Sequence, residues 1–208
     1  MLCYHNFMNA LIGLDQNISK EIIDFTLNNP SILYWTKLVA QYLIYAVPIL
    51  LLLIWFWPKS FSFEKIKPDI TRKNCIKAVI IALVAWQVIA RIIGHLINRA
   101  RPSLAMLNGK EILFHRPDYS FPSDHAAFIF TLAFCLIFSE NKKIGWVFMI
   151  IGILVSVSRV MVGVHFIGDV IAGFILGLII AWAFQFINII IEPIINIIFL
   201  FFKKVRLA

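Results

Sequence analysis

Apolar residues run along the chain in blocks of about twenty, broken by short stretches rich in Lys and Arg. At ~1.5 Å per residue, a helix of that length covers the ~30 Å hydrocarbon core of a bilayer. The blocks predict membrane spans over residues 38–57, 78–97, 122–138, 144–162 and 166–191. Tyr34, Trp35, Trp55 and Trp57 flank the first of them, as aromatic belts do at membrane–water interfaces. Pro48 predicts a kink within it. Two segments follow other patterns. Residues 17–28 carry Ile18, Ile22 and Phe25 at helical spacing, with Lys20, Glu21 and Asp24 between them. That is an amphipathic helix, lying on the membrane surface or solvated, and closed by Pro30. Glu192-Pro193 interrupts the last block, and residues 194–202 are too short to span alone. They read as an interfacial or extended end, or as a sixth, tilted span. The expected fold is all-α: a polytopic membrane helix bundle of five to six transmembrane helices, in one domain over residues 1–208, with an interfacial N-terminal segment over 1–30.

In the fifth block Gly173, Gly177 and Ala181 recur every four residues, and the same spacing run backwards reaches Asp169 and His165. A face of small residues lets another helix approach closely, so this face should point into the bundle. Composition fits a membrane protein: 61% of residues are hydrophobic and only 14% charged. The net charge of +8 does not point to nucleic acid, because the cations fall mostly between the apolar blocks. There they set orientation. Lys-rich residues 59–77, the turn at 140–143 and the C-terminus are expected on the cytoplasmic side. Residues 98–121 then lie outside although they carry Arg99, Arg101, Lys110, His115 and Arg116. Cations retained on the wrong side suggest that they bind an anion. Residues 1–29 lack a basic start followed by an apolar run, so no cleavable signal peptide is expected. Cys3, Cys75 and Cys135 form no disulfide or metal spacing.

Two short stretches concentrate the polar chemistry: Ser120 to His125, and Ser158 to Asp169, with Arg101-Pro102 upstream. With five spans, all of them reach the outer membrane–water interface. A charge at mid-bilayer costs ~2.5–3.5 kcal/mol even on the lenient insertion scale, so such residues need a use. His165 and Asp169, four apart, would share a helical face, and a carboxylate beside an imidazole fixes its tautomer and stabilises its cation. Ser123 stands where a helix N-terminus offers free amides to an anion. The Asp124 amide is one of these, provided its carboxylate turns away. Arg101 and Arg159 suit fork-shaped recognition of phosphate oxygens. His125 is a second imidazole, able to protonate a departing oxygen. An anion cradle, a nucleophile and an acid are the parts for phosphoryl transfer through a phosphohistidine. Zinc held by His125, His165, Asp124 and Asp169 is disfavoured by the flanking arginines and by the lack of an HExxH or Cys cluster. No metal or other cofactor is expected.

At these residues the sequence resembles the type-2 phosphatidic acid phosphatase superfamily of membrane lipid phosphatases, over roughly residues 75–190, the expected catalytic core. Pro122-Ser123-Asp124-His125 matches its second motif, and Ser158, Arg159, His165 and Asp169 match its third without a spacing error. The first motif, Lys then six residues then Arg-Pro, is met by Arg101-Pro102, but Gly94 stands at the Lys position. Arg91, His95 or Arg99 are candidate substitutes, with Arg91 favoured because a cation so far into a span is expensive unless used. The resemblance implies His165 as nucleophile, Asp169 as its orienter, His125 as general acid, a phosphate held by Arg101, Ser123 and Arg159, and no metal.

Asp124 in place of the family's Gly is similar to the bacterial undecaprenyl-diphosphatase branch. That branch implies removal of the terminal phosphate of a polyprenyl diphosphate, recycling of the cell-wall lipid carrier and bacitracin resistance. It also implies a site on the external, periplasmic face of the cytoplasmic (inner) membrane. The partners expected are a lipid phosphate or diphosphate and membrane lipids, with no nucleic acid; the sequence does not specify an oligomer. Phosphatidylglycerol phosphate, phosphatidic acid or a lipid A phosphate would meet the same cations. A lipid-phosphate binding or transport protein would need the cradle without the two His. A haloperoxidase of the vanadate type has a similar motif set but is typically soluble, which five spans oppose.

Overall fold

The structure, a computed structural model, describes residues 2–56, 68–107, 112–113 and 119–204. Within the basic stretches read above, Lys59, Lys65, Lys67, Lys110, His115, Arg116 and Arg206 lie outside the described residues. The described chain is helical and contains no strand: α1 Leu2–Leu27, α2 Pro30–Phe56, α3 Pro68–Ile97, the short α4 Pro102–Met106, α5 Asp124–Phe138, α6 Lys142–Met161 and α7 Ile167–Lys204. Helices α2, α3, α6 and the first 22 residues of α7 are each long and apolar enough to cross a membrane. The chain is an all-α polytopic membrane bundle, as the apolar blocks predict.

Helix α5, the third predicted span, has only 15 residues, about 22 Å. Its surroundings explain this. Ala126, Ala127, residues 129–133, Cys135 and Leu136 are buried, because α3, α6 and α7 pack around it. A helix sheathed by protein does not have to match the hydrocarbon thickness, since its polar ends meet protein groups. Asn141, beyond its far end, is buried and hydrogen-bonded to Thr71 and Asn74 of α3. The small-residue face of α7 packs closely on α5. A Cβ built on Gly173 would lie 2.7 Å from Ala126 Cβ and 2.8 Å from the Ser123 carbonyl oxygen; one on Gly177 would lie 2.7 Å from the Thr131 nitrogen.

Three boundaries differ from the sequence expectation. Glu192-Pro193 does not end α7, which runs on to Lys204, 38 residues in all. Pro193 removes one helical hydrogen bond. The neighbours hold the helix together: Lys77 pairs with Glu192, Lys73 Nζ donates to Asn196 Oδ1 (2.7 Å), and Ile195 and Phe199 are buried. In α2 the effect of Pro48 is a 3₁₀ turn over Leu43–Tyr45, one turn upstream, where the Ile44 carbonyl lacks its usual donor. Helix α1 spans 26 residues rather than twelve, and its faces are reversed. Ser19, Ile23 and Thr26 face the bundle, while Leu11, Leu14, Ile18 and Phe25 are exposed. The inward stripe is mixed, with Ser19 capping another helix beside the buried Ile23; the outward stripe with Leu11, Leu14, Ile18 and Phe25 is the one suited to a membrane surface.

Candidate active site

The polar residues meet at the end of the bundle where α3 finishes, α5 and α7 begin and α6 ends. Gly163, at φ 71°, makes the left-handed turn after α6 that folds the chain back. The amides of Val164 and His165 donate to the Arg159 carbonyl (3.0 and 3.4 Å), and that of Ser103 to the Gly163 carbonyl (3.2 Å). These bonds set His165 in a buried position just before α7.

His165 and Asp169 are therefore not two residues of one helix face. His165 precedes α7, whereas Asp169 lies in its first turn. The imidazole Nδ1 is 3.7 Å from Asp169 Oδ2, and its hydrogen bond goes to the Ser120 carbonyl at 2.8 Å. A carbonyl only accepts, so Nδ1 carries the proton and Nε2 is left with a lone pair. That Nε2 faces Arg101 NH1 at 3.4 Å and Asp124 Oδ1 at 3.7 Å. Asp169, fully buried, spends its oxygens elsewhere: it accepts from the Ser120 hydroxyl, from the Phe166 amide (2.8 Å) and from Arg99 NH1 (2.7 Å). The bond to Phe166 is the back-reaching half of a capping box and ends the helix at that residue.

Arg101 is buried and also donates to the Val164 carbonyl (3.1 Å). Ser123 caps α5 without a side-chain bond to the helix. Its amide donates to the Asp169 carbonyl (3.0 Å), and its hydroxyl is fully buried with no hydrogen-bond partner among the described residues. Such an unmatched group costs about 1–3 kcal/mol unless a ligand meets it. The Asp124 carboxylate does not turn away, contrary to the sequence reading. Its Oδ1 accepts from the His125 amide and from His125 Nδ1, both at 2.8 Å. Arg159, in the last turn of α6, donates from NH2 to His125 Nε2 at 2.7 Å. The two imidazoles are thus each held at Nδ1, with Nε2 of His165 facing Arg101 and Nε2 of His125 engaged by Arg159. Ser158 does not contribute its hydroxyl, which bonds back to the Val155 carbonyl (2.7 Å).

The position of the missing lysine is filled by backbone. A Cβ on Gly94 would sit 3.1 Å from the Phe121 carbonyl oxygen and 3.4 Å from Tyr119 Cδ2. The absence of a side chain lets residues 119–121 close over α3 and brings Ser120 to Asp169 and His165. His95 is exposed and sits 3.1 Å from the Tyr119 hydroxyl, tethering that segment rather than the cradle. Arg91, the favoured substitute, is exposed on α3, whereas Gly94 is buried, so the two do not share a face. Arg99 does reach the site, but its guanidinium is taken up by Asp169 and by Asp15 of α1 (2.6 Å). Sequence reasoning missed Asp15 and the part taken by Ser120. Asp15 had no readable signal: its partners are 84 and 153 residues away.

The sequence matches the PAP2 superfamily over residues 74–189, more than half of the chain. This chain is a member of the PAP2 superfamily. It is 30% identical over 158 residues to the "Bacitracin transport permease protein BcrC" of Bacillus licheniformis, covering 75% of this chain and 70% of that one. It is 33% identical over 176 residues to the "Undecaprenyl-diphosphatase" of Sulfolobus acidocaldarius, covering 80% and 78%. The crystal structure of a transmembrane PAP2 type phosphatidylglycerolphosphate phosphatase from Bacillus subtilis has the same fold, with a TM-score of 0.57 and 24% identity over 86% of this chain and 87% of that one. This PAP2 protein is accordingly an integral membrane phosphatase, a hydrolase of phosphate esters.

Proposed function

We propose that this PAP2 protein removes the terminal phosphate of a polyprenyl diphosphate, undecaprenyl diphosphate, through a phosphohistidine on His165. The carrier lipid is thereby recycled on the external face of the cytoplasmic membrane, and residues 75–190 form the catalytic core of a single domain. One observation carries the mechanism. His165 is buried, its Nδ1–H is tied to a carbonyl, and its lone-pair nitrogen faces the Arg101 guanidinium. The Nε2 lone pair attacks the terminal phosphorus as the bond to the bridging oxygen breaks. The unmatched Ser123 hydroxyl, Arg101 and Arg159 take the equatorial oxygens. Arg159 leaves His125 Nε2 for the phosphate, that nitrogen takes up a proton from water as the diphosphate enters, and His125 passes this proton to the bridging oxygen. Water then attacks phosphorus, His125 receives its proton, the P–N bond breaks, and inorganic phosphate departs. Asp124 holds His125 at Nδ1 through both protonation states.

The diphosphate assignment is supported by the similarity to the undecaprenyl-diphosphatase of Sulfolobus acidocaldarius and by Asp124 in the second motif. A phosphatidylglycerol phosphate phosphatase of the same mechanism is the second reading, favoured by the fold shared with the Bacillus subtilis enzyme. Purified protein in detergent with EDTA, offered undecaprenyl diphosphate, phosphatidylglycerol phosphate and phosphatidic acid, separates them by phosphate release. Preference for the diphosphate, lost in His165→Ala, is expected. Preference for a glycerolipid would keep the chemistry and discard the substrate. Equal release by His165→Ala would remove the phosphohistidine, and loss of activity in EDTA would remove the metal-free mechanism.

A further inference from the structure

We propose that Asp15, on the N-terminal helix, is a positioning residue for the nucleophile: acting through Arg99, it sets the place and the net charge of the Asp169 carboxylate behind His165. The inference rests on the reading of His165 as nucleophile. Two side chains of α1 cap α7. Asp15 Oδ1 accepts from the Gly168 amide (2.8 Å) and Ser19 Oγ from the Ile167 amide (3.1 Å). These are first-turn amides, which have no partner within their own helix. The second oxygen of Asp15 accepts from Arg99 NH2 (2.6 Å), while Arg99 NH1 donates to Asp169 Oδ1 (2.7 Å). The guanidinium also lies 4.0 Å over the centre of the Phe166 ring, which fixes its plane. Asp169 in turn holds the Ser120 hydroxyl, and the carbonyl of that same residue holds His165 Nδ1. The path from α1 to the nucleophile is unbroken.

Charge gives the path its purpose. One guanidinium is shared by two carboxylates, so the group carries a net negative charge. The Asp15 and Arg99 side chains keep only 17% and 20% of their exposure and Asp169 none, so water screens the group weakly. When Nε2 bonds to phosphorus, the imidazole becomes cationic, and the other ionic groups facing it are Asp124 and Arg101. A fixed negative charge behind it favours that state over the neutral ring of the resting enzyme. Without the Asp15 charge, Arg99 cancels Asp169 instead of linking it. The consequence belongs to turnover rather than to substrate binding.

The test uses the full chain in detergent, with undecaprenyl diphosphate and kcat and KM measured separately. Asp15→Asn keeps an oxygen for the Gly168 amide and drops the charge. Its kcat is expected to fall about tenfold with KM within about twofold. Gly168→Ala reaches the same contact from the other side, because a Cβ there would lie 2.8 Å from Asp15 Oδ2. It is expected to lose part of kcat and to add nothing on top of Asp15→Asn. If Asp15→Asn is not recovered folded, Gly168→Ala decides by the same split between kcat and KM. A wild-type kcat in Asp15→Asn beside an inactive His165→Ala overturns this inference alone, and so does a loss confined to KM. A fully active His165→Ala overturns the nucleophile and this inference with it.

Discussion

Replacing Gly173 by Ala tests how far the site depends on the approach of α7 to α5. The added methyl would meet Ala126 Cβ at 2.7 Å, the Ser123 carbonyl oxygen at 2.8 Å and the Ala127 nitrogen at 3.0 Å. Ordinary carbon–carbon contacts lie at ~3.5–4.0 Å, so the deficit is about 1 Å. Two of the three obstacles are backbone, so no side chain can swing aside to make room. The first turn of α5 has to move, and it carries Ser123, Asp124 and His125. Overpacking of this kind costs about 1–3 kcal/mol of stability. A displacement near 1 Å in a catalytic group costs on the order of 10²-fold in rate. Gly177→Ala is the control: its methyl would lie 2.7 Å from the Thr131 nitrogen and 3.0 Å from the Phe130 carbonyl carbon, one turn further from the site. Thermal unfolding in detergent and phosphate release are measured on both. Both variants should unfold at lower temperature, and Gly173→Ala should lose far more turnover. An unchanged midpoint and rate in Gly173→Ala would refute the packing argument. Equal loss of turnover in the two would refute its link to the first turn of α5.

Asp169→Asn should lower kcat about 10²-fold while substrate binding is kept, because it disturbs Ser120, Arg99 and through them His165; equal loss in both would count against that role. Asp124→Asn should lower kcat about tenfold with a lipid diphosphate, and much less with a phosphate ester whose leaving oxygen needs no proton, since it acts on His125. An equal loss with both substrates would point to phosphate binding instead. Arg101→Ala should lower kcat/KM at least tenfold, as charge-assisted bonds are worth ~1.5–3 kcal/mol, whereas Arg91→Ala should stay within about twofold. A large loss in Arg91→Ala would restore it as the missing motif cation.

Much of the bundle was legible in the sequence because hydrophobic length and small-residue spacing are local signals. Four of the five membrane blocks fell where the long helices are, the block at 122–138 on the shorter, sheathed α5, and Gly173 and Gly177 faced the bundle as their spacing required. The polar cluster was legible as a list of residues, since polar groups at apolar ends stand out. Its wiring was not. The pairing of His165 with Asp169 assumed that both lie on a helix, but helix α7 starts between them, and Ser120 from another segment takes Nδ1. Asp124 was read through its backbone because helix N-termini bind anions, yet its carboxylate reaches the adjacent imidazole. Pro193 was read as a stop because local propensity says so, and packing of Ile195 and Phe199 overrides it. The face of α1 that binds the bundle mixes Asp15, Ser19 and Thr26 with Ile23, which no hydrophobic pattern can reveal.

The long helix α7 is tied at two levels to α3 and the residues that follow it. Lys77 holds Glu192 at one end and Arg99 holds Asp169 at the other. Along α7 these rungs stand about 35 Å apart at ~1.5 Å per residue, close to the ~30 Å thickness of hydrocarbon. Two antiparallel rods riveted at such a spacing cannot slide past one another to suit a thinner or thicker bilayer. They can only tilt together or deform the lipid around them. Because the Arg99–Asp169 rung belongs to the cluster around His165, any shear between the rods would be felt there. Turnover should therefore follow the acyl-chain length of the surrounding lipid, with a maximum where the membrane matches the rungs.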